Sequence, residues 1–335
     1  MKLDFEQIKS ITQGASYVDG QDGLINFHRF TPAEEAVYIN TQFEGRAFSS
    51  ASIQLVFTTD GDRLNLSFET SATCSRTYFS VDIFVNGILC KHIQNFGENT
   101  LEENYTLTPH PLGAFSEEAE LGKGNKTVRI VLPWSVRLQL REMEVENATY
   151  ITPVPKNKKL IMYGDSITHG YDAVYPSNAY ANRFADALGA ELYNKAIGGE
   201  IFNPKLAACK NDICPDYITV AYGTNDWSTT EQDDFILRCT EFFRLLAQNN
   251  PDSAIYAITP IWRKDHVEER KFGDIADVEK SIRQICAQYA NIRVIRGWEL
   301  VPQDKAYYAD QRLHPNDRGF AHYFENLKKE FDKLQ

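Results

Sequence analysis

The sequence predicts an α/β chain in two parts: a β-rich N-terminal half built as a β-sandwich or jelly roll, then a parallel sheet covered by helices on both faces. Three observations predict it. Short strand-like runs, the clearest of them alternating apolar and polar residues, recur between positions 52 and 145, separated by turn residues. A segment bearing Pro153, Pro155, Lys156, Lys158 and Lys159 follows. Beyond it, short apolar runs alternate with segments of helical periodicity, the pattern of parallel strands with crossover helices.

In the first half, residues 52–58 and 63–70 alternate around the turn at Asp60 and Gly61. Residues 78–85 and 88–93 flank Asn86-Gly87, which predicts a hairpin because both residues tolerate positive φ. Residues 126–132 and 136–145 complete the strands, and no long helix is expected here. Residues 151–159 read as a linker, dividing the chain into a domain over 1–152 and another over 158–335. In the second half, strands are expected at 160–163, 192–195, 217–221, 254–258 and 293–295, and helices at 178–188, 230–248, 274–289 and 316–334. The halves lack any long Gly/Ser tract between them, so they are expected to pack together.

Bulk properties narrow the function. The 335 residues are 43% hydrophobic and 24% charged, enough for a substantial core. The net charge of −11 disfavours phosphate backbones and anionic lipid, so neither nucleic acid nor membrane is expected as a partner. The opening residues carry no apolar run of signal-peptide type, which predicts a cytoplasmic protein. The six cysteines, Cys74, Cys90, Cys209, Cys214, Cys239 and Cys286, form no Cys-x-x-Cys pair and lie near apolar runs. They read as buried thiols in a reducing compartment, with no metal site.

Chemistry-bearing residues follow the expected strand ends. After the first comes Gly164-Asp165-Ser166-Ile167-Thr168. After the second comes Asn194-Lys195-Ala196-Ile197-Gly198-Gly199, and after the third Gly223-Thr224-Asn225-Asp226. Near the C-terminus stands Asp310-Gln311-Arg312-Leu313-His314-Pro315-Asn316-Asp317. In a doubly wound sheet the first three blocks leave one edge, where ligands bind, and a late loop can join them. A serine becomes nucleophilic when a histidine takes its proton. The resulting oxyanion needs preorganised donors, for which the backbone N–H of Ser166, the N–H of Gly199 and the side-chain amide of Asn225 are candidates. Gly198 is the alternative to Gly199. Ser166 at a strand-to-helix turn would also feel the positive end of the helix.

These four blocks, in this order, resemble those of the SGNH (GDSL-like) serine hydrolases, over the chain from Leu160 onward. The Gly-x-Ser-x-Gly elbow of α/β-hydrolases is absent, since position 168 is Thr. The resemblance implies a flavodoxin-like three-layer α/β/α domain, with Ser166 as nucleophile and His314 as general base. The N-terminal half is similar to the jelly-roll modules of bacterial enzymes in carbohydrate esterase family two. On that resemblance the substrate is an O-acetylated sugar or oligosaccharide, and no metal or organic cofactor is required. One departure stands out: such enzymes place Asp three residues before the His, where this chain has Gln311. A one-residue bulge would bring Asp310 to the imidazole; a backbone carbonyl would serve instead, as family two permits; Asp317 is a third option, although it reads better as a helix cap. Asp165 reads as a loop-holding residue. Trp227 and Trp262 follow strand ends and are candidates for stacking on a sugar, with core packing as the alternative. His169 is a candidate pocket wall. The resemblance leaves three readings of use: carbohydrate O-acetyl esterase, acyltransferase or lipase-like esterase on another small ester, and carbohydrate-binding protein with an inactive catalytic half.

Overall fold

Among the described residues, eleven strands of the first half form two antiparallel sheets. A computed structural model describes residues 1–97, 107, 109–210 and 212–335. The strands are β1 (Thr12–Gln13), β2 (Tyr17–Gln21), β3 (Leu24–His28), β4 (Gln54–Thr59), β5 (Arg63–Ala72), β6 (Ser80–Val85), β7 (Ile88–Gln94), β8 (Ala114–Glu120), β9 (Lys126–Val131), β10 (Val136–Glu146) and β11 (Ile151–Pro153). One sheet runs β1-β4-β9-β6-β7, with β11 also on β4; the other runs β2-β3-β10-β5-β8. The alternation of β5, whose Leu64, Leu66 and Phe68 point inward, is what buries one face of its sheet. These side chains meet Phe57, Val81, Ile83 and Ile130 of the facing sheet in one core. The β6–β7 turn has Asn86 at φ 50° and Gly87 at φ 79°, as the dipeptide predicts.

Short helices also belong to this half: α1 (Phe5–Ile11), α2 (Pro32–Ala36) and α3 (Glu44–Ala47). Both α1 and α2 open with capping boxes, from Asp4 and Thr31. The expected linker is shorter than its composition suggests. Ile151–Pro153 pairs with β4 and Lys158 already opens the next sheet. Pro153 is tolerated there because β11 is a peripheral strand.

The second half is a five-stranded parallel sheet: β12 (Lys158–Gly164), β13 (Ala190–Asn194), β14 (Tyr217–Ala221), β15 (Ala254–Ile258) and β16 (Ile292–Ile295). Its order, β13-β12-β14-β15-β16, is the flavodoxin-like order, with the switch point beside β12. The helices are α4 (Ser166–His169), α5 (Tyr180–Leu188), α6 (Pro204–Ala208), α7 (Thr224–Thr229), α8 (Gln232–Asn249), α9 (Ile275–Cys286) and α10 (Asp317–Lys333). One core, on the side of α5 and α10, includes Leu160, Met162, Tyr180, Phe320 and Leu327; the other, on the side of α8 and α9, includes Ile161, Ile218, Phe242 and Ile282. Successive residues of β12 therefore face opposite layers. Both cores reach into the first half, through Tyr78, Phe96 and Trp134 in one and Phe30, Tyr38 and Ala47 in the other. Among the described residues, no helix is long and apolar enough to cross a membrane. The cysteines are free, but the expectation of uniform burial is corrected: Cys90 and Cys214 are exposed, and Cys74 and Cys209 half-buried.

Candidate active site

β12 ends in a glycine for a steric reason. A Cβ at Gly164 would lie 2.4 Å from Thr168 Oγ1 and 3.0 Å from the Ala221 carbonyl oxygen, so only glycine lets α4 turn back over the strand end. Asp165 caps α4, its Oδ1 accepting the N–H of Ile167 at 3.0 Å. Burial pushes its carboxyl up to about 6, against the Ile167 hydrogen bond and the charges of His314 and Arg263. Ser166 stands first in this helix. α4 is only four residues long, so the helix-end field expected at the serine is small, and local hydrogen bonds decide its surroundings.

The Ser166 hydroxyl lies 2.9 Å from His314 Nε2, and His314 Nδ1 lies 2.8 Å from Asp310 Oδ2. The bulge that the spacing required is present. Gln311 takes φ 56°, absorbing the extra residue in a left-handed conformation. Ala309 and His314 close the loop with a backbone bond of 2.7 Å. Asp310 Oδ1 accepts the N–H groups of Arg312, Leu313 and His314 at 2.7–3.1 Å, so one oxygen holds the loop while the other faces the imidazole. Burial raises the Asp310 carboxyl, but the His314 bond and these amides outweigh it and hold the group below the usual carboxylate range. Burial likewise pulls the imidazole of His314 down. The Asp310 bond and the charges of Asp172, Asp310 and Asp165 overcome this and raise it above 6.5.

Asp317 is not a partner of His314. Its carboxylate takes the Val174 N–H at 2.8 Å and the Asn178 amide at 2.7 Å, and Asn316, not Asp317, caps α10. A residue missed by sequence reasoning takes the second place at the imidazole. Asp172 Oδ2 lies 3.5 Å from His314 Nδ1. Asp172 is buried, sits at φ 68°, and is held by Arg76 of the first half at 2.8 and 3.2 Å. Nothing in the local sequence marks it, because the chain must turn through a left-handed residue to bring it back. The ring of Tyr171 stacks against His314 with centroids 5.9 Å apart.

The loops after β13, β12 and β14, neighbouring strands, leave the same edge of the sheet. Residues 197–200 form a turn, with the Glu200 N–H on the Ile197 carbonyl at 3.1 Å and Gly199 at φ 84° in its third position. That is a type II turn, which needs glycine there. The choice between the two glycines has a physical basis: the Gly198 N–H donates to His169 Nδ1 at 3.2 Å, whereas the Gly199 N–H has no partner among the described residues. Asn225 lies in the first turn of α7, and one of its two amide hydrogens reaches the Glu200 carbonyl at 3.0 Å, leaving the other available. Asp226, beside it, accepts the N–H groups of Phe202 and Gly223 at 3.2 and 3.1 Å. Burial pushes this carboxyl up to about 7.

Two expected substrate contacts are corrected. Trp227 is fully buried; its indole N–H donates to the Gly273 carbonyl at 2.8 Å and the guanidinium groups of Arg263 and Arg270 lie over its ring. α7 turns this face toward the α8–α9 core, where the ring fills volume. His169 is also buried and lines no open surface: its Nε2 lies 2.8 Å from Ser49 Oγ and 3.0 Å from the Trp134 carbonyl. Trp262 packs on Tyr308, centroids 5.3 Å apart, and keeps only 9% of its surface exposed.

Residues 162–322 match the model of the GDSL-like lipase/acylhydrolase family. No curated protein sequence matches the chain significantly. Among solved structures, the salicylyl-acyltransferase SsfX3 from a tetracycline biosynthetic pathway is similar at 21% identity, with 96% of this chain and 94% of that one covered and a TM-score of 0.79. A family two carbohydrate esterase from Clostridium thermocellum, in complex with cellohexaose, is similar at 15% identity, 85% and 94% coverage and a TM-score of 0.65. A family two carbohydrate esterase from Cellvibrio japonicus is similar at 18% identity, 98% coverage of both chains and a TM-score of 0.63. At these identities the likeness establishes the fold, a β-sandwich joined to a parallel α/β sheet. Within that fold, the match to the GDSL-like lipase/acylhydrolase family model runs from within β12 to within α10 and so spans the parallel sheet.

Proposed function

We propose that the protein is a serine esterase that removes acetyl or other short acyl groups from carbohydrates, with Ser166, His314 and Asp310 as its catalytic residues. The observation that carries the reading is the hydrogen-bonded series Ser166–His314–Asp310, at 2.9 and 2.8 Å, on the sheet edge that also carries the Gly199 turn, whose N–H has no partner among the described residues. His314 Nε2 takes the Ser166 proton as Oγ attacks the ester carbon. The carbonyl oxygen gains the charge and is met by the N–H groups of Ser166 and Gly199 and the amide of Asn225. Collapse expels the sugar alkoxide, which takes the proton from His314. Water then attacks the acyl-enzyme with His314 again as base, releasing the carboxylic acid and the free serine. The division into an accessory domain over 1–152 and a catalytic domain over 158–335 is part of the same proposal.

Acetate release from acetylated mono- and oligosaccharides tests it. Ser166→Ala should lose nearly all activity while its circular dichroism stays unchanged; retention of more than about a tenth of wild-type rate would refute the nucleophile assignment. The likeness to an acyltransferase of known structure favours one second reading, transfer to an acceptor other than water. Added acceptor alcohols distinguish the two: a transferase gives the acylated acceptor in place of free acid. A purely sugar-binding role does not account for the aligned Ser166 and His314, and a fluorophosphonate probe that fails to label Ser166 would favour it.

A further inference from the structure

The oxyanion turn has two glycines at its centre, and this is a mechanical problem. Type I and type II turns differ by a flip of the central peptide, here the one joining Gly198 to Gly199. Glycines offer little resistance to that flip. The flip reverses both ends of the planar unit together, so the Gly198 carbonyl and the Gly199 N–H always point in opposite directions. A donor aimed at an ester oxygen must therefore have its carbonyl held at the far side.

That carbonyl is held by the N-terminal half. Arg46, in α3, donates from Nη1 to the Gly198 oxygen. The same nitrogen would lie 3.1 Å from a Cβ at Gly199, so the guanidinium spans the peptide. Its placement is itself determined. The Arg46 carbonyl receives Nη2 of buried Arg29 at 2.8 Å, whose Nη1 also holds the carbonyls of Asn194 and Ala196 in the same loop. The stem of Arg46 runs to a guanidinium 5.7 Å from the Phe43 ring centre. On the preceding unit, His169 Nδ1 accepts the Gly198 N–H. Burial and the Arg29 charge hold this imidazole well below 6.5, so it stays neutral with its proton on Nε2, toward the Trp134 carbonyl.

We propose that Arg46 is a positioning residue of the oxyanion hole: by holding the Gly198 carbonyl it fixes the central peptide of the turn and aims the Gly199 N–H at the oxygen of the bound ester. The inference rests on the esterase reading and adds to it a part supplied by the β-sandwich. The bond is charge-assisted, and a cation on the carbonyl end also polarises the amide so that its N–H donates more strongly. The effect appears only when charge develops on the ester oxygen, so it belongs to kcat and not to ground-state binding.

The test uses the full chain, 4-nitrophenyl acetate as substrate and a boronic acid as a tetrahedral analogue. Arg46→Met keeps the apolar stem and removes the charge. Losing one oxyanion donor outright costs about 10²–10³-fold in kcat, and a donor left free to flip should cost about 10- to 100-fold. The expected result is that loss with KM changed less than about twofold, boronate affinity falling in parallel with kcat/KM, and melting temperature within a few degrees of wild type. Arg46→Lys, which keeps a cation on a different reach, should recover part of the rate. Unchanged kcat in Arg46→Met with active wild type would overturn the inference and leave the esterase reading intact. A rise in KM alone would also overturn it, making Arg46 a substrate contact. A wild type that neither hydrolyses the ester nor reacts with a fluorophosphonate would overturn both.

Discussion

Two carboxylates address one imidazole nitrogen, and this changes what a single substitution does. Asp310 is 2.8 Å and Asp172 3.5 Å from His314 Nδ1. In serine proteases the comparable Asp→Asn change costs about 10⁴-fold in kcat. Here Asp172 remains to stabilise the imidazolium, so Asp310→Asn should cost about 10²-fold; a loss near 10⁴ in a folded variant would show that Asp172 contributes nothing. The pH profile gives a second reading. A general base must be neutral, so activity is lost as pH falls through the folded pKa of His314, which lies above 6.5. The same raised pKa means that the protonated ring adds stability, present below the unfolded value and lost as pH rises through the folded one. Asp310→Asn should move the acid limb of kcat/KM to lower pH, measured between pH 5 and 9; an unmoved limb would place the orienting charge elsewhere. That Ser166, His314 and Asp310 come together was legible because the proposed acyl chemistry needs these residue types and the strand ends gave them a common edge. Asp172 was not, because its approach depends on one left-handed residue and on an arginine nearly a hundred positions earlier.

At the level of elements, period-two alternation located β4, β5, β9 and β10, and the Asn-Gly dipeptide located the hairpin between β6 and β7. The elements before residue 50 were not read from the sequence. α2 and α3 are five and four residues long, too short for a helical period; besides the Thr31 capping box, contacts with the second half hold them, through Glu34 on Lys195 and Arg46 on the Gly198 carbonyl. β11 was hidden by Pro153, which reads as a breaker until the pairing with β4 is seen. Trp227 shows the same limit in one side chain: its place after a strand end suggests a pocket, and the rotation of α7 decides otherwise. The ring fills the α8–α9 core, so Trp227→Ala should cost about 3–5 kcal/mol of stability while leaving KM for an acetylated sugar within about twofold. Denaturant unfolding measures the first and initial rates the second. A stable variant with a large rise in KM would return the ring to the substrate site.

For the whole molecule, the question is whether the halves are tethered or interlocked, and one buried ion pair decides it. Lys195, in the loop that leads into the Gly198-Gly199 turn, reaches Glu34 of α2 at 2.6 Å, and neither side chain is exposed. Its remaining donors go to Ser16 Oγ at 2.7 Å and the Arg29 carbonyl at 2.5 Å, so every partner of the ammonium belongs to the N-terminal half. Glu34 in turn accepts the Thr31 N–H that begins α2. Breaking such a pair on one side leaves an uncompensated buried charge and costs about 3–5 kcal/mol, whereas replacing both partners removes the penalty. Lys195→Met and Glu34→Gln should therefore each lower the unfolding free energy strongly, and the double variant should fall well short of their sum. Additive losses would mean that the two groups are independently solvated and that the interlock is absent. The same reasoning predicts the outcome of removing residues 1–157. That truncation strips Lys195 of its partners, takes Arg29 from the Asn194 and Ala196 carbonyls, and uncovers both cores of the α/β sheet where Phe30, Tyr38, Phe96 and Trp134 had packed. The remaining fragment should aggregate, or fold without an ordered oxyanion turn and lose its activity on 4-nitrophenyl acetate. A soluble fragment with full wild-type kcat would show that the sandwich is an appendage; an unstable or inactive one shows that the active site is assembled by both halves.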